Sequence, residues 1–224
     1  MKKATVLEQV KTPDGSTQAL VERDGEYMIW VNGRELMSTR HAFSEQQLGV
    51  VGCQALRGRK AARVLIGGLG LGFTLRAALE NLDADARVVV AELMPAVVAW
   101  NQNPAYPLAS AALANRRTEV VLGDVAVLIA KSAARFDAIL LDADNETTAM
   151  NTAGNSSLYQ TTGLANIARA LKPRGTVVYW SVGDDPVLVK RLTRAGFAVA
   201  TERVRKHPTA KSGGYHVLIV ARRS

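Results

Sequence analysis

Arg63-Val-Leu-Ile-Gly-Gly-Leu-Gly-Leu-Gly72, followed by Arg87-Val-Val-Val-Ala-Glu92, is the stretch on which the fold turns. Val64, Leu65 and Ile66 form a short apolar run rich in β-branched residues, the pattern of a strand covered on both faces. Gly67, Gly68, Gly70 and Gly72 then permit a sharp turn and bring bare backbone against a ligand, where a Cβ would obstruct it. A helix over about Phe73 to Asn81 follows, with Leu75, Ala78 and Leu79 at helical spacing, so its free N–H groups point back at the glycine turn. Glu92 ends the next strand, about 20 residues past Gly72, where a carboxylate accepts both hydroxyls of a ribose and repels a phosphate placed on it. The combination reads as a nucleoside site; the bland alternative is a tight strand-to-helix connection without a ligand. NAD and S-adenosylmethionine sites share this opening, so the choice between them rests on the rest of the chain.

The 224 residues, 48% hydrophobic, suffice for one sizeable core with room for a small extra domain. No apolar stretch reaches the roughly 20 residues of a membrane span, and Met1-Lys-Lys-Ala-Thr-Val is not followed by the apolar core of a signal peptide. Cys53 is the only cysteine, which rules out an internal disulfide and a cysteine-based zinc site; a reducing cytoplasm is the expected location. The formal charge of +8 invites a nucleic-acid partner, but the basic residues are scattered along the sequence and aromatics make up only 5%, so no stacking platform interleaves with the charge. The denser groups, Arg57, Arg59, Lys60 and Arg63, then Arg203, Arg205, Lys206 and Lys211, read mainly as solvated surface.

Asp24-Gly25 and Asn32-Gly33 punctuate alternating segments between residues 18 and 37, the signature of a small antiparallel meander. Ser44 to Leu56 reads as a helix capped by Ser44, with Leu48, Val51 and Leu56 on one side. From Ala61 onward strands and helices alternate as in a doubly wound sheet. The predicted strands are Arg63 to Ile66, Arg87 to Ala91, Thr118 to Leu122, Ala138 to Leu141 and Thr176 to Trp180. Predicted helices begin at Pro95, Val125 and Thr161, the last running to Leu171 and stopped by Pro173 and Gly175. After a helix at Pro186 to Ala195, strands at Phe197 to Arg203 and Tyr215 to Ala221 form a terminal β-hairpin, which does not belong to the usual dinucleotide fold.

That ending resembles the S-adenosylmethionine-dependent transferase fold. The expected architecture is therefore an α/β, doubly wound, mostly parallel seven-stranded sheet of the class I methyltransferase, Rossmann-like type, ending in an antiparallel hairpin. A β-meander and linking helix over residues 1–56 would precede a nucleoside domain over residues 57–224. Within that superfamily the chain resembles the spermidine synthases, or polyamine aminopropyltransferases. The likeness is carried by the meander, by Met37-Ser-Thr-Arg-His-Ala-Phe-Ser-Glu45 leading into the first helix, by Val64 to Gly72, and by Phe136-Asp-Ala-Ile-Leu-Leu-Asp142.

The resemblance implies that Gly67, Gly68, Gly70, Gly72, Glu92 and Leu93 hold S-adenosylmethionine or its decarboxylated form. It sets Asp124, in Gly123-Asp124, on the adenine amino group with Val125 beside it, and Asp142 where the family's acid orients and deprotonates the attacking amine. Asp124 also suits the N-cap of a helix starting at Val125, a compatible role. Asp144 is the second catalytic candidate, and His41, Glu45, Asp144, Asn145 and Tyr159 are the candidates for contacting the acceptor; Glu146 extends the same acidic loop. A homodimer is the family's habit.

Two departures bear on activity. The family reads like Gly-Gly-Gly-Asp-Gly in the glycine loop, whose acid holds the amine of decarboxylated S-adenosylmethionine; here that position is Gly70. The family's Asp-Ser-Ser-Asp is replaced by Asp142-Ala-Asp-Asn, so the second acid comes one residue early. Without a carboxylate at Gly70, the α-carboxylate of S-adenosylmethionine is not repelled, which favours methyl transfer to a small-molecule acceptor. Aminopropyl transfer to a diamine and a non-catalytic nucleoside-binding or RNA-docking module are the alternatives. Asn103-Pro104-Ala105-Tyr106 resembles an adenine amino-methyltransferase signature but follows the second strand, where a helix-ending turn is its expected role. Trp30 and Trp180 are expected in the core, Tyr159 in a lid over Asn151 to Gln160, and no metal is expected at His207 or His216.

Overall fold

The computed structural model describes residues 3–142, 157–207 and 214–223. Four antiparallel strands, β1 (Thr5–Lys11), β2 (Thr17–Arg23), β3 (Glu26–Val31) and β4 (Arg34–Ser38), form one sheet in sequential order. Asp24 and Asn32 take positive φ (55° and 49°) in the two tight turns, as their Asp-Gly and Asn-Gly pairs require. β1 escapes the alternation rule because its register shifts between Val6 and Glu8, leaving Leu7 and Val10 inward at a spacing of three.

The large sheet contains β5 (Arg63–Gly67), β6 (Arg87–Glu92), β7 (Thr118–Leu122), β8 (Phe136–Leu141), β9 (Leu171–Ser181), β10 (Phe197–Arg205) and β11 (Tyr215–Arg223), in the order β10-β11-β9-β8-β5-β6-β7. Pairs from β9 to β7 are parallel; β11 joins β9, and β10 joins β11, antiparallel. The expected sheet is thus present, terminal hairpin included. Strand order reverses between β5 and β8, and in open α/β sheets that reversal opens a crevice at the carboxyl ends of the strands.

Helices α1 (Phe43–Gln54), α2 (Phe73–Asn81), α3 (Pro95–Gln102), α4 (Ser110–Leu113), α5 (Val125–Ala130), α6 (Thr161–Ala170) and α7 (Pro186–Arg194) cover the sheet among the described residues. Alternate residues of each central strand feed opposite layers. Val64, Ile66, Ala138 and Leu140 pack with α1, α2, α3 and the small sheet, whereas Leu65, Ile139 and Leu141 pack with α5, α6 and α7. The small sheet is tied to α3 by one carboxylate: Glu8 accepts from Trp100 Nε1 and from the Tyr106 hydroxyl, each at 3.0 Å.

Two expectations are corrected. The first helix is capped at Ala42, not Ser44, and Ser44 is fully buried as its second residue. That helix packs on the large sheet and α2: a Cβ on Gly52 would lie 2.0 Å from Leu140, and one on Gly49 2.7 Å from Ala77. Pro173 and Gly175 do not follow a helix reaching Leu171. α6 stops at Ala170 and β9 opens at Leu171, with Lys172 to Gly175 taken up by a bulge between the Phe136–Leu171 and Ala138–Thr176 pairs.

Candidate active site

The glycine turn leaves the carboxyl end of β5 beside that of β8. The N–H of Asp142, the residue after β8, meets the Gly67 carbonyl at 3.4 Å, so the first glycine and the candidate catalytic acid are neighbours at the strand-order reversal. Gly72 has φ +77°, and a Cβ there would lie 2.3 Å from Ala109 Cβ. Gly70 has φ +52°, and a Cβ there would lie 2.7 Å from both Sδ and Cε of Met37. A side chain in the small sheet therefore occupies the place into which a residue at position 70 would point.

Glu92 lies directly under the turn. It is 6% exposed; its Oε2 accepts from the Leu69 N–H at 2.7 Å and its Oε1 from the Met94 N–H at 2.8 Å. Burial pushes this carboxyl above its ordinary pKa, against the opposing effect of the backbone N–H groups of Leu69, Met94, Leu93 and Gly70. Each carboxylate oxygen has a second lone pair, so the backbone bonds leave acceptor capacity for ligand hydroxyls. Leu93, half-buried, sits between Glu92 and Met94.

The Gly123 N–H donates to the Glu92 carbonyl at 2.8 Å, setting the end of β7 against the end of β6. Asp124 follows as the N-cap of α5, accepting from the Ala126 N–H at 2.7 Å. This is the capping role anticipated for it, and it leaves acceptor capacity on the same carboxylate. Val125 is buried against Gly67, where its methyl groups would come within 3.2 Å of a Cβ.

Beside the glycine turn, the start of α1 builds a polar chain. Glu45 is 8% exposed, and its carbonyl accepts from the Thr74 hydroxyl at the start of α2 at 3.1 Å. Its carboxylate accepts from the Ser44 hydroxyl at 2.6 Å, and Ser44 Oγ lies 2.9 Å from His216 Nδ1. With the serine proton engaged by Glu45, Nδ1 of His216 is the donor, which leaves Nε2 as a lone-pair acceptor. The imidazole packs edge-on to Trp180 at 4.4 Å. Burial, then the charge of Lys206, depresses the His216 pKa to about 4, whereas burial raises that of Glu45.

The other acceptor candidates fall in different surroundings. His41 is half-exposed, with Nδ1 3.2 Å from Ser38 Oγ and 3.8 Å from a Glu35 oxygen and its ring 4.7 Å from His207. Tyr159 is buried in the opposite layer, its ring 5.3 Å from Tyr179 and its carbonyl accepting from Arg191 at 3.0 Å. Asp144, Asn145, Glu146 and the segment 151–156 expected as a lid lie outside the described residues. Asn103 ends α3 and accepts from the Ala105 N–H at 2.9 Å, the turn expected of that motif.

Sequence reasoning passed over the contributions of four residues. Asn101 is fully buried and donates to the Gly70 carbonyl at 2.8 Å and to the Val97 carbonyl at 2.9 Å, bracing the glycine turn from α3. A polar residue on the buried side of an otherwise apolar helix was its signal. Ser44 and His216 meet only through the fold, and nothing local marks Met37. Among the described residues no group of three or more His, Cys, Asp or Glu side chains is placed to hold a metal ion, and no helix is long and apolar enough to cross a membrane.

No family model and no curated protein matches the chain. Solved structures do. Spermidine synthase from Thermotoga maritima superposes with a TM-score of 0.75 at 19% identity, covering 98% of this chain and 73% of that one. A spermidine synthase in complex with the transition state analogue AdoDATO gives 0.73 at 18% identity, covering 98% and 72%. Precorrin-6y C5,15-methyltransferase from Geobacter metallireducens GS-15 gives 0.57 at 18% identity, covering 80% and 88%. The chain has a Rossmann-like fold of the class I methyltransferase type, and its match to the two spermidine synthases runs over the small sheet as well as the large one.

Proposed function

We propose that the protein is a transferase using S-adenosylmethionine to methylate a small-molecule acceptor. The observation that carries this reading is Gly70: it bears no carboxylate, and Met37 Sδ and Cε stand where one would point. An uncharged thioether there neither anchors the free amine of the decarboxylated compound nor repels an α-carboxylate. The residues fit the nucleoside, with an open backbone at Gly68, a buried carboxylate in Glu92 and a half-buried one in Asp124.

When bound, S-adenosylmethionine supplies an electrophilic methyl carbon on a sulfonium. In this reading Glu92 receives the ribose hydroxyls, Asp124 and Val125 receive the adenine, and the backbone of Gly68 and Gly70 flanks the amino-acid tail. Asp142, next to Gly67, orients the acceptor and takes its proton; for an amine with a pKa near the lysine value of about 10.4, that base is needed to free the lone pair. The rest is positioning, which suffices for an in-line displacement at carbon.

A second reading, aminopropyl transfer from decarboxylated S-adenosylmethionine, is favoured by the match to spermidine synthases over 98% of the chain, small sheet included. Calorimetric titration of nucleoside-free protein with each compound separates the two. Tighter binding of S-adenosylmethionine is expected; tighter binding of the decarboxylated form refutes the Gly70 argument and makes diamines the first acceptors to test. Tight binding without turnover of any acceptor favours a nucleoside-sensing module.

A further inference from the structure

Basic residues that are scattered in the sequence converge in the fold on the edge of the large sheet opposite the candidate active site. The strand register makes this explicit: Arg63 pairs with Arg87, Val88 with Thr118, Val64 with Ala138, Phe136 with Leu171 and Thr176 with Arg222. Each parallel strand thus starts at or beside a cation, namely Arg63, Arg87, Arg117, Arg135 and Lys172, and β11, running the other way, ends on the same edge with Arg222.

Part of this charge has structural work. Arg117 donates to the carbonyls of Leu79 and Leu82 at the end of α2, at 2.8 and 3.0 Å, and Arg223 to the Leu171 carbonyl at 2.5 Å. Buried Asp137 meets Arg59 and Lys172, each at 2.7 Å, and Glu119 meets Arg63 at 3.3 Å and Arg135 at 3.9 Å. Each of these carboxylates faces two cations, and the exposed Asp83 and Asp85 in the loop before β6 are outnumbered by the cations of this edge that no described carboxylate pairs, so the edge stays positive. Lys60, Arg116, Arg174 and Arg222 are exposed and form no ion pair with a described residue. Arg116 and Arg117 also line an open groove of about 490 Å³ with Leu82, Ala84 and Asn115.

We propose that this edge docks the phosphate backbone of a nucleic-acid duplex, without reading its sequence. The cations are mostly arginines, whose planar fork suits phosphate. The large apolar side chains exposed among the described residues lie elsewhere: Leu122, Val182, Val187 and Tyr215 at the carboxyl edge, Val127 in the first turn of α5, and Val6 in the small sheet. The basic edge therefore lacks the apolar wedge of a membrane-inserting face and the aromatics that stack single-stranded bases. Because the two edges are opposite, docking leaves the glycine turn open.

The test is fluorescence anisotropy with labelled DNA and RNA duplexes of mixed sequence across a salt series, the two arms telling which backbone is preferred. With contacts to about four phosphates, raising salt from about 50 to 200 mM should weaken DNA binding roughly 100-fold. The Arg116→Glu/Arg174→Glu variant should lose at least about ten-fold in affinity and show a shallower salt slope. The Arg34→Glu/Arg205→Glu variant, with the same change in net charge off this edge, should bind like the parent. Equal losses in the two variants would overturn the proposal in favour of diffuse net charge. Binding to anionic lipid vesicles in preference to either duplex would also overturn it.

Discussion

Replacing Gly72 by Ala tests the packing of the glycine turn in one step. Two costs add. The backbone has φ +77°, a left-handed conformation that costs an L-residue about 1–2 kcal/mol. The new Cβ would lie 2.3 Å from Ala109 Cβ, whereas carbon contacts prefer about 3.5–4.0 Å, so the turn and the start of α4 must separate, an overpacking cost of about 1–3 kcal/mol. The lower entropy of the unfolded chain returns about 0.4–1 kcal/mol. The expected net loss is roughly 2–4 kcal/mol, read by denaturant unfolding with an unchanged m-value. Ala109→Gly removes the steric part but not the backbone part. The double variant should therefore be more stable than the sum of the single effects by about 1–3 kcal/mol, while remaining below Ala109→Gly alone. Additivity within about 0.5 kcal/mol, or a loss below about 1 kcal/mol for Gly72→Ala, would refute the contact.

Asn101→Ala takes its side-chain donor from the half-buried Gly70 carbonyl and should cost about 1 kcal/mol in denaturant unfolding. It should also weaken S-adenosylmethionine in calorimetry, because the turn loses its brace from α3. His216 should titrate near 4 by NMR, against 6.5 unperturbed, with Nδ1 protonated in the neutral form. Because the unfolded imidazole takes its proton at the higher pH, its contribution to stability is full above about pH 6.5 and falls as the pH drops toward 4; a midpoint near 6.5 in the folded protein would refute the burial argument. Cys53 is fully buried and its thiol is pushed up to about 12, so iodoacetamide at about pH 8 should label the unfolded protein and spare the native one.

What the sequence disclosed was local or periodic. The glycines between Gly67 and Gly72, the carboxylate ending β6 and the apolar runs of the central strands each announce themselves within a few residues. The terminal hairpin carried the distinction from a dinucleotide fold in the same way. What stayed hidden depends on partners distant along the chain. Ser44 has the composition of an N-cap, but its hydroxyl is taken by Glu45 and by His216 from the last strand, so the helix begins at Phe43 without it. Met37 covers Gly70 only because the two sheets dock. The cations look dispersed in one dimension because each belongs to a different strand start, and parallel register alone aligns them. β1 was lost because a bulge broke the alternation by which strands are recognised.

The contact of Met37 with Gly70 also bears on the order in which the chain becomes competent. The small sheet is a succession of adjacent hairpins, made of local contacts that close quickly. The centre of the large sheet joins Val64 to Ala138 in parallel, a long-range pairing that closes slowly. The wall over the glycine turn belongs to the first, the turn itself to the second. A refolding chain should therefore gain its antiparallel strands early and its ability to capture a nucleoside last, making ligand capture a marker of completed folding.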